Sequence, residues 1–311
     1  MFTQNILSKY LSYLVLSNSM IKNIAITGSS GFIGTYFIKN NSEFSIKEID
    51  LLTQKVEGLD FIGIDSVLHL AALVHQAKSK NDEEYFRINR DLAFNTAKMA
   101  KLQGVRQFVL MSTVKVYGES TNDQMPWNES SNCNPEDAYG QSKYEAERLI
   151  LALEDDSFRV AIIRSPLVYG AGVKANMYNL IKFVNRFPIL PLGGINNKRS
   201  LVYIGNLVAL ISKVIQEQVS GIFIAGDTEP LSTSQICCLI ANSLNKRVVF
   251  IRMPRILQIV SKSIVPSYYN RLFGSLLVDN GKTNEHLGFS PPFSSEQGIR
   301  IMVEWYRDIQ K

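Results

Sequence analysis

Apolar positions along the chain fall into short blocks separated by stretches of helical periodicity. Residues 21–27, rich in isoleucine and bounded by a glycine, read as a buried strand, and a helical pattern over 31–39 follows. The strand signature recurs at 45–51, 66–72, 107–112 and 159–164, with long helical stretches at 83–102 and 139–154 between the later blocks. Strands this apolar are covered on both faces, and their alternation with helices implies right-handed crossovers. The pattern therefore predicts an α/β fold with a doubly wound parallel sheet. After Pro166 it changes to glycine- and proline-containing loops, short helices and scattered aromatics, which predicts a smaller C-terminal domain over the carboxyl ends of the strands.

Composition narrows the choice. A chain of 311 residues with 46% hydrophobic and 20% charged side chains is an ordinary globular one, not a disordered or fibrous one. The net charge of +5 carries no block of like charges, so nucleic acid is not expected as a partner. Three cysteines, none in a Cys-x-x-Cys pair, argue for a reducing compartment. With only His69, His75 and His286 as imidazoles, no metal site is expected. No run approaches the roughly 18–20 apolar residues of a membrane span. The apolar stretch 6–16 is interrupted by Lys9 and has no convincing cleavage site, and Met20 stands directly before the first strand. Residues 1–19 thus read as an N-terminal extension of a soluble, cytoplasmic protein.

Candidate chemistry begins after the first strand. Thr27-Gly28-Ser-Ser-Gly31-Phe32-Ile33-Gly34 has the spacing G-x-x-G-x-x-G and opens a helix. Glycines there permit a tight turn and bring backbone N–H groups close to a pyrophosphate, which the positive helix end favours. The segment is therefore read as a dinucleotide site with Gly28, Gly31 and Gly34 in the turn. Asp50, near the end of the second strand, is placed to accept bonds from ribose hydroxyls and to repel a 2′-phosphate, which favours NAD over NADP; a solvated turn residue is the alternative.

Tyr139-Gly-Gln-Ser-Lys143 puts a phenol and an amine on one helical face. A phenol of pKa near ~10 is a poor base at neutral pH, and a nearby ammonium together with an oxidised nicotinamide favours the phenolate. Upstream, the strand ending at Met111 runs into Ser112-Thr113-Val-Lys-Val-Tyr-Gly118, which aims a hydroxyl into the crevice at the carboxyl end of the sheet. With these motifs, with His69-Leu70-Ala71-Ala72, with Asn89 and Asn95 on the following helix, and with Arg164-Ser-Pro166-Leu-Val-Tyr-Gly170, the chain resembles the extended short-chain dehydrogenase/reductases of the nucleotide-sugar epimerase/dehydratase group, from about Lys22 to nearly the C-terminus.

The resemblance implies a Rossmann-type NAD-binding domain over 20–165, rejoined by 200–226, and a substrate-binding domain from 166–199 and 227–311. It implies that Tyr139 is the acid/base, that Lys143 lowers its pKa and bonds the nicotinamide ribose, and that Thr113 binds the reacting oxygen, with Ser112 as second choice. Phe32, Ile33, Leu70, Ala71, Ala72, Asn89 and Pro166 join the expected cofactor contacts. Arg199 is expected on the substrate diphosphate, with Arg271 and Asn176 as further contacts. Leu167 and Asn206 depart from the group's frequent asparagine and aspartate, which leaves the sugar contacts open. The group's dimers imply a homodimer through the two long helices.

Dehydratases of this group carry an Asp-Glu pair directly after the threonine. Here Val114 and Lys115 stand there, and neither can replace an acid and a base. The valine also removes the cysteine of the 3,5-epimerising synthases. Hydride and proton transfer at one carbon remains. The expected activity is an NAD-dependent UDP-sugar 4-epimerase, of UDP-glucose or UDP-N-acetylglucosamine type, working through a 4-keto intermediate; a subgroup of bacterial surface-polysaccharide clusters carries the matching stretches 167–176 and 197–203. The alternatives are a 4-ketoreductase of UDP-4-keto-6-deoxy-N-acetylglucosamine and a non-catalytic NAD(P)-binding sensor or scaffold. Adjacent Cys237 and Cys238 point in different directions from one helix, which suits packing rather than redox chemistry, and 254–265 is amphipathic, with Arg255 and Lys262 beside isoleucines.

Overall fold

A computed structural model describes residues 21–74, 82–121, 125–254 and 266–311. The N-terminal extension, His75 and the amphipathic stretch beyond Pro254 lie outside the described residues. Strand β1 (Lys22–Thr27) leads into helix α1 (Phe32–Asn40), then β2 (Phe44–Ile49) and β3 (Ser66–His69). Next come α2 (Asp82–Tyr85), a π-helical turn over Phe86–Leu92 and α3 (Ala93–Leu102). Strand β4 (Gln107–Thr113), helix α4 (Ala138–Leu151) and strand β5 (Arg159–Ser165) follow. The later chain forms β6 (Leu167–Tyr169), α5 (Ala175–Arg186), β7 (Ile189–Gly193), β8 (Leu201–Tyr203), α6 (Ile204–Glu217) and β9 (Gly221–Ile224). It ends with α7 (Thr233–Ser243), β10 (Val249–Arg252), α8 (Pro266–Phe273), α9 (Gly281–Leu287) and α10 (Ser295–Asp308).

Six strands pair in the order β2-β1-β3-β4-β5-β9, all parallel. Alternate side chains go to opposite faces, as the period of a strand requires. Ile24, Ile26, Val109, Met111, Ala161 and Ile163 join one apolar cluster, while Ala25, Phe108, Leu110, Val160 and Ile162 join the other. Both faces are thus dry, which confirms the doubly wound sheet. The first cluster runs unbroken from Ile24 through Ile211 on α6 to Ile299 and Met302 on α10, so the later elements pack against the sheet directly.

Strand order reverses about β1, whose neighbours β2 and β3 lead to opposite edges. The carboxyl ends of β1 and β3 form the switch point where such sheets bind ligands. Two short parallel pairs, β6 with β8 and β7 with β10, form separate sheets. The loop after β4 is knitted to the C-terminal part through Thr121 N–H to Ser275 O (3.0 Å) and Trp127 N–H to Leu277 O (3.0 Å). Asp227 is a further hub: it accepts from Tyr169 Oη (2.7 Å), Tyr203 N–H (2.9 Å) and Asn206 Nδ2 (2.7 Å). That explains the amide at 206. A second carboxylate there would face Asp227 across a hydrogen-bond distance.

Two expectations are corrected. The third strand stops at His69, not residue 72, because Leu70 and Ala71 turn across the end of β1: Leu70 N–H reaches Thr27 O (3.1 Å) and Ala71 N–H reaches Thr27 Oγ1 (3.4 Å). The helix expected over 83–102 is interrupted by the π turn, whose Asn89 is fully buried and tied to that same crossing segment.

Candidate active site

Gly28 closes β1 with φ +72°, a conformation L side chains rarely adopt. A Cβ there would lie 2.6 Å from the Ala71 nitrogen, so only hydrogen lets the segment at 70–72 pass over the turn. Gly31 N–H bonds Gly28 O (3.0 Å) and begins α1, which has no side-chain cap and no acid in its first turn. The first N–H groups of a helix have no intrahelical partner, so those of Phe32, Ile33 and Gly34 suit an anion. The turn therefore fits the diphosphate of a dinucleotide on its own geometry.

Asp50 follows β2 directly, at the same end of the sheet. Its carboxylate accepts from Leu52 N–H (2.9 Å) and Thr53 Oγ1 (3.0 Å), which fixes its direction by a local turn. Asn89 takes a different place from the one expected. Its amide donates to Leu73 O (3.0 Å) and Ser142 Oγ (3.1 Å), and its oxygen accepts from Leu73 N–H (2.7 Å). Both amide hydrogens are used inside the protein, so Asn89 ties the 70–73 segment to α4 rather than reaching a ligand itself. Pro166 is buried between β5 and β6.

Helix α4 is started by Asp137, whose side chain accepts from Gly140 N–H (2.7 Å). Gly140 itself was not singled out by the sequence, yet a Cβ there would lie 2.8 Å from the Lys115 carbonyl oxygen. Its lack of a side chain lets the helix press on the turn that follows β4. That closeness sets Thr113 beside Tyr139, near enough for its hydroxyl to act on the phenol. Lys143, one turn along, is 1% exposed.

The electrostatics are set by burial. It pushes the Tyr139 phenol up to about 12; the Thr113 hydroxyl opposes the rise, and Asp137 and Tyr85 add to it. The Lys143 amine is buried as well: desolvation pulls it down to about 8, with the Glu147 carboxylate pulling it up. His69, at the end of β3, is pulled down to about 3 by burial and by Lys143, and so stays neutral. Its Nδ1 lies 3.0 Å from Thr27 Oγ1 and its ring stacks on Phe108.

Ser112 is excluded as the reacting hydroxyl, because it donates to Glu147 in the interior. Lys115 occupies the dehydratase acid position but bonds Glu119 (2.5 Å) and Asp137 (2.7 Å). Burial works against its charge, and those two bonds nevertheless raise its pKa. It is a structural cation. Val114 beside it is buried.

Of the expected substrate contacts, Arg199 bridges Leu231 and Leu276 through its backbone and donates from Nη1 to Gly274 O (3.1 Å). Arg271 lies in α8, the helix that ends just before Gly274. The structure brings these two segments together. Asn176 is exposed in the first turn of α5, and Leu167 is 38% exposed on β6.

Comparison with known proteins is consistent with this geometry. A model of the NAD-dependent epimerase/dehydratase family matches residues 24–226. A Vibrio cholerae UDP-glucose 4-epimerase is 35% identical over 312 residues, covering 90% of this chain and 94% of the relative. An Escherichia coli O157:H7 N-acetyl-alpha-D-glucosaminyl-diphospho-ditrans,octacis-undecaprenol 4-epimerase is 27% identical over 256 residues, covering 76% of each. The structure of a Bacillus cereus UDP-glucuronic acid 4-epimerase in complex with NAD superposes with a TM-score of 0.74 at 19% identity, covering 93% of this chain and 100% of that one, a likeness of fold.

Proposed function

The chain belongs to the NAD-dependent epimerase/dehydratase family, and from that premise we propose that it is an NAD-dependent UDP-sugar 4-epimerase of the UDP-glucose or UDP-N-acetylglucosamine type. The observation that carries the reading is Thr113 beside Tyr139, one helical turn before the buried Lys143, with a buried valine and a tied-down lysine where a dehydratase needs its second acid and base. Such a site moves one proton at one carbon. The identity to a UDP-glucose 4-epimerase supports the same reaction.

In this reading the backbone N–H groups of Phe32, Ile33 and Gly34 hold the cofactor diphosphate, and Asp50 accepts from the adenosine ribose. When bound, NAD supplies a hydride acceptor and a positive ring. Thr113 binds the sugar 4-oxygen and Tyr139 exchanges its proton. Burial favours the neutral phenol, the form that returns a proton to the sugar oxygen. Taking that proton first requires the phenolate, whose own proton has gone to solvent and whose charge is held by the Lys143 ammonium and the bound cofactor's positive ring. Arg199, with Arg271 and Asn176, is assigned to the substrate diphosphate, where a planar guanidinium grips two oxygens.

The test is a substrate panel. The purified protein is denatured, the released dinucleotide identified, and UDP-glucose, UDP-N-acetylglucosamine and UDP-4-keto-6-deoxy-N-acetylglucosamine are offered in parallel. Conversion of either of the first two without added cofactor supports the 4-epimerase. Strict consumption of NADPH with the third makes the protein a 4-ketoreductase, and cofactor binding without any conversion makes it a sensor.

A further inference from the structure

The catalytic helix carries one more polar group along the line of its two assigned residues: Tyr139, Lys143 and Glu147 recur at every fourth position of α4. Glu147 is 1% exposed. It accepts from Ser112 Oγ on β4, from Arg164 Nε on β5 (3.2 Å to each oxygen) and from Arg164 Nη2 (2.6 Å). Arg164 in turn donates from Nη1 to Tyr117 Oη (2.6 Å) and stands over the Tyr117 ring. The carboxylate is thereby fixed from two strands and the turn beyond β4, one helical turn past the amine.

A buried ion pair is a weak reason for stability, since an apolar pair of similar volume often packs as well. A different use is at hand. We propose that Glu147 is a positioning residue that keeps the buried Lys143 amine protonated through the working pH range, and so supports the acid/base tyrosine through that lysine. The inference rests on the enzymatic reading above and deepens it. The charged and titratable groups around Lys143 are Tyr139 and Glu147 one turn to either side on its own helix, the neutral His69 from β3, and, behind Glu147, the Arg164 guanidinium from β5. Burial alone already draws Lys143 toward neutrality, and Glu147 is the group that opposes it. Without that carboxylate the ammonium is lost at lower pH.

Glu147→Gln leaves Arg164 buried and unpaired, so the decisive protein is the double variant Glu147→Gln/Arg164→Met, which removes both charges. The Lys143 ε-carbon is followed by heteronuclear NMR titration, assigned with Lys143→Arg, and the pH profile of sugar conversion is recorded alongside. The expected result is a Lys143 midpoint about half a pH unit or more below that of the parent protein, because of the two opposite charges removed it is Glu147, one turn along the lysine's own helix, that acts on the amine. The alkaline limb of conversion should fall by the same amount, while the double variant regains thermal stability that Glu147→Gln lost. A folded double variant whose Lys143 midpoint and alkaline limb match the parent overturns the proposal and leaves the pair a structural clamp. If the parent converts no sugar, the proposed function fails, and the NMR midpoint still decides this inference by itself.

Discussion

Replacing Gly140 with alanine separates packing from propensity. Intrinsic helix propensity favours alanine over glycine by about 1 kcal/mol at an open helix position. At Gly140 the added Cβ would lie 2.8 Å from the Lys115 carbonyl oxygen and 3.2 Å from both Asp137 Oδ1 and Pro135 Cβ. An ordinary carbon–oxygen approach is about 3.3 Å, so the helix start must back away by about 0.5 Å. Overpacking of this kind costs about 1–3 kcal/mol, which cancels or reverses the gain in propensity. The displacement acts on the spacing between Thr113 and Tyr139, because the turn holding Lys115 is the one Thr113 starts. A misplacement of about 1 Å can reduce turnover roughly 100-fold, so half that distance predicts a loss of about tenfold in kcat. The assay pairs kcat for the sugar converted with urea unfolding, and Gly58→Ala, with nothing within 4 Å of its new Cβ, serves as the control. A Gly140→Ala protein that is both more stable and fully active would refute the reasoning.

Two other outcomes follow from the buried polar groups. Lys143 titrates near 8 in the folded protein against an ordinary 10.5, so the unfolded chain binds more protons between those values. Its contribution to stability therefore rises with pH across that window. Lys143→Met should abolish turnover yet gain on the order of 3 kcal/mol at neutral pH, with the advantage shrinking from pH 8 upward in denaturant titrations; an advantage that does not change with pH contradicts the burial argument. Asn206→Asp sets a second carboxylate against Asp227. The shared proton binds more tightly in the folded state, so the variant should melt below the parent at neutral pH and recover as pH falls toward 5; a melting point unchanged at pH 7.5 counts against the hub.

The sheet was legible because strands covered on both faces read as unbroken apolar runs, and the crevice was legible because its glycines and hydroxyl follow those runs directly. What escaped is set by long-range packing. Residues 70–72 are as apolar as the strand before them, and only their crossing over Gly28 distinguishes them. Periodicity cannot register a π turn, so Asn89 looked free to face a ligand. Glu147 carried no signal of its burial in the sequence, and it is buried by Ser112 and Arg164 from strands far along the chain. Its spacing from Tyr139 and Lys143 was nevertheless in plain view. The upward push of burial on the Tyr139 phenol was hidden for the same reason: a sequence places the neighbouring charge but not the depth of burial.

The most direct measurement is made on Tyr139→Phe, which removes one oxygen and nothing else from the site. NAD binding by fluorescence and UDP-sugar binding by calorimetry should stay within a few-fold of the parent, while conversion at C4 falls by at least about a thousandfold, the upper part of the range for a lost acid/base. A variant that binds both ligands and still interconverts the sugars at the parent rate would show that the proton travels by another group.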